Sequence, residues 1–500
     1  MPYLLGLDVG SSSVKASLLD AEKNTIVAAA GSPDTELPIL APEPGFAEQD
    51  PESWWEHAIK ATHKVLAIAG GEAAQDIIAV GISYQMHGLV CLDAAGAVVR
   101  PSIIWCDSRA VGIGEAASAA LGVDRCREHL LNAGPGNFTA SKLRWVQENE
   151  PELYSRIATI LLPGDYLAYR LTGERTTTAS GLSEGMLWDV QSESPAQLVL
   201  DHYNMDAALL GRLVPTFSDQ GRITEEAAKA FGIPAHIPVA YRAGDQPNNA
   251  LSLNVLEPGE IAATAGTSGV VYGVSDTPQA DPQERVNSFV HVNHTADARR
   301  YGVLLCVNGT GIAYSWLRRV LGGGSYDDFN RAAEAVGIGS DDLIVLPFGN
   351  GSERSLGNRT PGGAWQNLDF NRHDLGHMIR ATQEGIACAL AAGISGMQAC
   401  GVHASTIRAG AANLFLSPLF RQTFADLTGA TVELYDTDGA AGAARGAGIG
   451  VGHFSDSSDA FSGLSRQAVI EPIAANQAAS AELLTTWQAS LTHAMARVEH

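Results

Sequence analysis

Two apolar runs broken by a Gly–Ser/Thr turn occur twice in the chain, half its length apart. In the first copy, Leu4–Leu7 leads into Asp8-Val9-Gly10-Ser11-Ser12-Ser13 and then Val14–Leu19. In the second, Ile261–Ala265 leads into Gly266-Thr267-Ser268-Gly269 and then Val270–Val274. Gly10 and Gly266 are 266 − 10 = 256 positions apart in a chain of 500 residues. Apolar runs flanking a tight turn predict hairpins. Their repetition at half-length predicts two related domains, each offering one turn to a common cleft. The join is expected near Asp245 to Pro258, giving domains 1–245 and 246–500. The Gly/Ala-rich stretch Gly439 to Gly452 is a second candidate boundary.

Between the turns, short strand-like runs alternate with longer amphipathic stretches. Ile77–Ser83 reads as a buried strand. Asp50-Pro51-Glu52 reads as a helix start: Asp50 can cap free amides, Pro51 suits the first helical position, and Glu52 favours the positive end of the dipole. Trp55, Ile59, Thr62, Val65, Leu66 and Ala69 then recur at helical spacing. A second helix is expected from Thr139 to Glu148. This alternation predicts an α/β chain with sheets covered by helices.

Charge narrows the function. With 55 acidic and 32 basic residues the formal net charge is −23, a field that repels phosphate backbones and anionic lipid. No partnership with nucleic acid or membrane is expected, although backbone amides can still bind a phosphate locally. No stretch approaches the ~18–20 apolar residues of a membrane helix. The start, Met1 to Asp8, lacks a basic leader and carries an acid within its apolar run, unlike a signal peptide. The six cysteines show neither CxxC nor a nearby His at metal-ligand spacing, and are expected as reduced core or helix residues of a cytoplasmic protein.

Several short segments could carry chemistry. Asp8, Gly10, Ser11, Ser12, Ser13 and Lys15 combine a carboxylate, close backbone approach, hydroxyls and a cation, a set that suits the phosphates of a Mg-nucleotide. The alternative is a plain hairpin with polar turn residues, and no Walker loop GxxxxGK[ST] exists. Gly266 and Thr267 form a matching turn, and phosphoryl transfer needs donors on more than one side of the γ-phosphoryl. Ile407 to Asn413, with Gly410 and Ala411, could let backbone approach an adenine ring or could be a tight strand-to-helix connection. Asp245 sits between Gly244 and Pro247 at the expected join, where Pro247 biases Gln246 toward an extended or turn conformation. Met86-His87 should lie near a strand's end. Asp107 and Arg109 could grip a polyol or pair with each other. Met186 and Trp188 read as core.

Taken in order, LGLDVGSSSVK (5–15), GFAEQDPESWW (45–55), YQMHGLV (84–90), IIWCDSRA (103–110), NFTASKLRWVQEN (137–149), LLPGDYLAYRLTG (161–173), AGDQPNNA (243–250), ATAGTSG (263–269) and QEGIACAL (383–390) resemble the FGGY carbohydrate kinases, most of all their xylulokinase-like members. The resemblance runs over about residues 3 to 450. It implies a two-domain actin-like ATPase (ribonuclease H-like) fold with an interdomain cleft, sugar and phosphate on the N-terminal side and nucleotide on the C-terminal side. It implies ATP and Mg²⁺ as cofactors, with Asp8 reaching the metal through water. Asp245 would be the catalytic base. Met86, His87, Asp107, Asn137 and Gln246 would bind the sugar. Gly10 to Ser13, Lys15, Gly266, Thr267, Gly410, Ala411 and Asn413 would serve ATP.

The implied reaction is in-line transfer to a primary hydroxyl of a ketose, foremost D-xylulose, with the domains closing on the sugar. The chain departs from the pattern at Asn137, at Tyr241-Arg242 in place of a glycine run, at Gln246, and at AGAANLFLS (409–417). Those departures keep ribulose, sedoheptulose and glycerol open as acceptors. A sugar-independent actin-like ATPase and a silent sugar sensor are the readings of another class. A homodimer is plausible from the resemblance.

Overall fold

A computed structural model describes residues 1–498 of the chain. The Cα trace forms two compact units. The first comprises residues 1–256, 289–301 and 437–464; the second comprises 257–288, 302–436 and the remainder from 465. A single cut at 245/246 does not describe them. The helix begun by Asp245 stays with the first unit, and so does the Gly439–Gly450 helix, because its small residues pack on that unit's sheet. The chain leaves the first unit after Leu256, revisits it over Phe289–Tyr301 and returns to it again over Thr437–Leu464.

In the first unit five strands lie in the order Thr25–Ser32, Val14–Asp20, Tyr3–Val9, Ile77–Tyr84, Val239–Gly244. The first three pair antiparallel and the last two join parallel. Alternation along a strand sends Leu5 and Leu7 to one face, where Trp54, Trp55 and Val65 of the Pro51–Ala69 helix cover them. Asp50 caps that helix, accepting from Glu52 N at 3.0 Å. Of the expected apolar face, Trp55, Thr62, Val65 and Leu66 are buried, while Ile59 and Ala69 are half-buried against the same core.

Leu4, Gly6 and Asp8 point the other way. There the Gly439–Gly450 helix lies so close that a Cβ on Gly6 or Gly81 would overlap the main-chain oxygens of Ala440 and Ala443. That contact needs glycine on the strands and alanine on the helix, and it brings the helix's first turn to Asp8.

The second unit repeats the plan. Tyr301–Val307, Gly269–Ser275, Ile261–Ala265, Thr406–Gly410 and Thr431–Tyr435 follow the same third-second-first-fourth-fifth order, with Arg466–Ile470 added antiparallel at the edge. Leu375–Met397, a helix buried along most of its length, supplies Ile379, Ile386, Leu390 and Ile394 to its core. Both units therefore have the α/β architecture of the actin-like ATPase fold. Among the described residues no helix is long and apolar enough to cross a membrane.

Candidate active site

The first turn is a hairpin joining Val9 to Val14, closed by Gly10 N donating to Ser13 O at 3.0 Å. Gln49 Nε2 holds Ser11 O at 2.7 Å, Leu37 N donates to Ser12 O at 2.8 Å, and Trp105 Nε1 reaches Ser11 Oγ at 3.3 Å. The loop is thus fixed from outside itself. Lys15 is exposed and stands opposite Asp8 in the antiparallel register.

Asp8 Oδ1 accepts from Ser83 Oγ at 2.8 Å, and a Cβ on Gly439 would come within 2.6 Å of Asp8 Oδ2. Burial raises the Asp8 pKa above the usual carboxylate value, and the Asp438 charge adds to it, against the pull of Ser83 and Lys15. Asp438 caps its own helix by accepting from Ala441 N at 2.8 Å.

Asp245 is the first residue of the helix Asp245–Ser252, directly after the Val239–Gly244 strand. Burial and then the Asp8 charge push its pKa up to about 7, while the Gln246 amide and side chain pull the other way. Gln246 is helical, contrary to the extended or turn conformation expected before Pro247. Pro247 is tolerated because the first turn's amides have no intrahelical partner to lose.

Met86 and His87 follow the Ile77–Tyr84 strand, as expected. Met86 is buried, and its Cγ would lie 2.6 Å from a Cβ on Gly244, so it packs on the residue before Asp245. His87 has φ +60°, in the left-handed region that a non-glycine residue seldom occupies. Its ring packs edge-on to Phe138 at 4.5 Å between centroids, and Nδ1 lies 2.8 Å from Glu184 O. Lys142, fully buried, donates to His87 O at 2.8 Å and Ile104 O at 2.9 Å. Burial pulls its pKa down to about 7 despite Asp107 and Cys106.

Asp107 takes the pairing alternative. Its carboxylate accepts from Arg109 Nε and Nη2, from Arg109 N and from Ala47 N, which fills its acceptor sites with protein donors. A direct polyol grip by Asp107 does not fit this arrangement. Asn137 Nδ2 donates to Asp107 O, and its buried Oδ1 has no hydrogen-bond partner among the described residues. Cys106 lies exposed in this turn, unlike the core or helix setting expected of it. Met186 and Trp188 are core, as expected.

In the second unit Gly266 O accepts from Gly311 N at 2.8 Å and from Thr310 Oγ1 at 3.0 Å. Thr310 Oγ1 also reaches Thr267 O at 3.2 Å. A Cβ on Gly266 would lie 3.5 Å from Asn413 Nδ2, so these two sequence-distant candidates meet. Gly410 ends its strand, Ala411 N donates to Tyr435 O at 2.8 Å, and Asn413 opens a short 3-10 helix at φ +55°. The segment is a tight strand-to-helix connection.

Reading from sequence missed Ser83, Asp438, Glu184, Thr310 and Gly311. Thr310-Gly311 had a usable signal, because Asn308-Gly309-Thr310-Gly311 is one more Gly/Thr turn after an apolar run. Among the described residues no three His, Cys, Asp or Glu side chains gather to hold a metal on their own. Asp8 fits a Mg²⁺ that keeps most of its waters and takes its remaining ligands from phosphate.

Comparison with known proteins identifies the family. The N-terminal domain of the FGGY family of carbohydrate kinases matches residues 3–252, and its C-terminal domain matches residues 261–450. A xylulose kinase of Escherichia coli (strain K12) is 32% identical over 447 residues, 89% of this chain and 88% of that one. One from Klebsiella pneumoniae is 29% identical over 445 residues, 89% and 88% of the two chains. The crystal structure of xylulose kinase from Rhodospirillum rubrum superposes with TM-score 0.87 at 25% identity, covering 100% of both chains. With both domain descriptions matched in order and the strand plan repeated in both units, the chain belongs to the FGGY family of carbohydrate kinases.

Proposed function

We propose that the chain transfers the γ-phosphoryl group of ATP to a primary hydroxyl of D-xylulose, giving D-xylulose 5-phosphate. The observation that carries this reading is the setting of Asp245. It is a half-buried carboxylate with its pKa pushed up to about 7, next to Gly244, on which Met86 packs. A base so tuned is ionised enough to accept a hydroxyl proton near neutral pH and basic enough to hold it. The relatives described as xylulose kinases make xylulose the acceptor to test first.

In this reading Asp245 takes the proton of the acceptor hydroxyl as its oxygen attacks phosphorus. His87, its ring held with Nδ1 2.8 Å from Glu184 O, lies on the loop that takes the sugar. Gln246 steadies Asp245, and Asn137 and Asp107 position the loop beside His87. The amides and hydroxyls of Gly10 to Ser13, with Lys15, and those of Gly266 and Thr267 take phosphate oxygens. Gly410, Ala411 and Asn413 take the adenosine end. Asp8, kept in place by Ser83, would hold Mg²⁺ through water, and the ion would supply charge neutralisation at the phosphates. We also propose a cytoplasmic location, where ATP is available and the six free cysteines stay reduced, and a homodimer, to be tested by sedimentation.

The test is ADP release from Mg-ATP with D-xylulose, D-ribulose, L-ribulose, sedoheptulose, glycerol and no acceptor. Stimulation by D-xylulose above all others is the expected result. Stimulation by another acceptor alone would discard xylulose, and equal release in every sample would discard sugar phosphorylation.

A further inference from the structure

The Glu184 carboxyl has no part in the roles assigned above, yet the residue touches two of the segments that do. It closes the short helix Ala179–Glu184 and is 1% exposed. Through its main-chain oxygen it holds His87 Nδ1 at 2.8 Å. Through its carboxylate it lies against Gly244, where a Cβ would overlap Oε2. Gly244 is the residue from which Asp245 and its helix start, and Met86 packs on the same point.

We propose that Glu184 is a positioning residue for phosphoryl transfer, fixing the place of Asp245 relative to Met86 and His87. A change at 184 then moves the base and the sugar loop together, though Glu184 itself need not touch the sugar. The inference rests on Asp245 being the base.

The charges around Glu184 say in which form it acts. Asp245 faces it from the Asp245–Ser252 helix, Asp165 from the Pro163–Thr172 helix, Tyr84 from the end of the Ile77–Tyr84 strand, and the His87 amide from the turn that follows. Arg242, on the Val239–Gly244 strand, is committed to Asp165 by an ion pair of 2.7 Å. Burial, then Asp245 and Asp165, hold the Glu184 carboxyl well above the usual carboxylate range, against Tyr84 and His87. Glu184 is therefore held toward its protonated form beside the Asp245 carboxylate. Once Glu184 ionises, a second buried negative charge stands beside Asp245 and opposes an anionic phosphoryl donor.

The experiment measures kcat and both KM values from about pH 6 to about pH 10 for the wild type, Glu184→Gln, Glu184→Ala and Asp245→Asn. Thermal unfolding of each checks the fold. Glu184→Ala should lower kcat about tenfold or more with the KM for ATP within about threefold. Glu184→Gln, a neutral isostere, should retain clearly more of kcat than Glu184→Ala. It should also lose the alkaline fall of kcat while keeping the acid fall near the Asp245 pKa, which a merely structural role would not do. If Glu184→Ala fails to fold, the pH profile of Glu184→Gln decides. A Glu184→Gln profile identical to wild type, or a folded Glu184→Ala with unchanged kcat, overturns the proposal. An active Asp245→Asn overturns both this inference and the base assignment; an inactive one with unaffected Glu184 variants overturns this inference alone.

Discussion

Lys142 Nζ donates to the main-chain oxygen of His87 at 2.8 Å, across 55 residues of sequence. The same nitrogen holds Ile104 O at 2.9 Å, so one buried side chain ties the Met86-His87 turn to the loop that carries Trp105 and Asp107. A charge-capable donor satisfying two buried carbonyls contributes about 1.5–3 kcal/mol per bond lost. Lys142→Met should therefore raise the KM for the sugar by about tenfold or more, with the KM for ATP changed far less. Steady-state kinetics with both substrates varied checks this.

The same lysine makes stability depend on pH. Its folded pKa is pulled down to about 7 by burial, against about 10.4 in an unfolded chain. Between those values the unfolded chain binds a proton that the native state has released. Stability from this group thus rises with pH, by up to about 1.4 kcal/mol per pH unit, and is level below about 7. The difference in Tm between wild type and Lys142→Met should grow from neutral to alkaline pH. A level difference would show that Lys142 is not neutralised by burial.

Asp245→Asn should cut kcat by about 10²–10⁴ with little effect on the KM for ATP. In the wild type, kcat/KM for the sugar should fall about tenfold per pH unit as pH drops below about 7, because the base becomes protonated. A pH–rate profile checks the second point and single-turnover kinetics the first.

Gly439→Ala places a methyl carbon only 2.6 Å from Asp8 Oδ2, closer than van der Waals contact allows. Either the carboxylate swings off Ser83 or the helix retreats. We expect a higher Mg²⁺ requirement and a lower kcat, with the fold retained, since overpacking of this kind costs ~1–3 kcal/mol. Activity titrated against Mg²⁺ gives the readout.

Arg242 and Asp165 form an ion pair of 2.7 Å with side chains 0% and 2% exposed. Removing one partner leaves the other charge buried, so Arg242→Ala should destabilise the protein by about 3–5 kcal/mol. Replacing both with apolar residues, Arg242→Met with Asp165→Leu, should recover much of that loss. Urea unfolding of the two variants distinguishes them.

Much of the site was legible because its parts are local. The turns at Gly10 and Gly266, the cap at Asp50, the Thr139–Asn149 helix and the placement of Met86-His87 at a strand end depend on residues a few positions apart. Local signals misled at Gln246, where a helix N-terminus accepted the proline; at Asp107 they left a polyol grip and pairing with Arg109 both open, and the fold took the pairing.

By itself the sequence determined the two half-length copies of one strand–turn plan and the residues that bring carboxylates and hydroxyls to those turns. Only the tertiary structure decided which groups surround Asp8 and Asp245. Ser83 comes from 75 residues away, Gly439 from a segment that rejoins the first unit after most of the second has been made, and Glu184 from a stretch that otherwise reads as core. The reason is physical. A hairpin or a cap is written in neighbouring residues, whereas a perturbed carboxylate is set by burial and by charges that meet only when distant strands and helices pack.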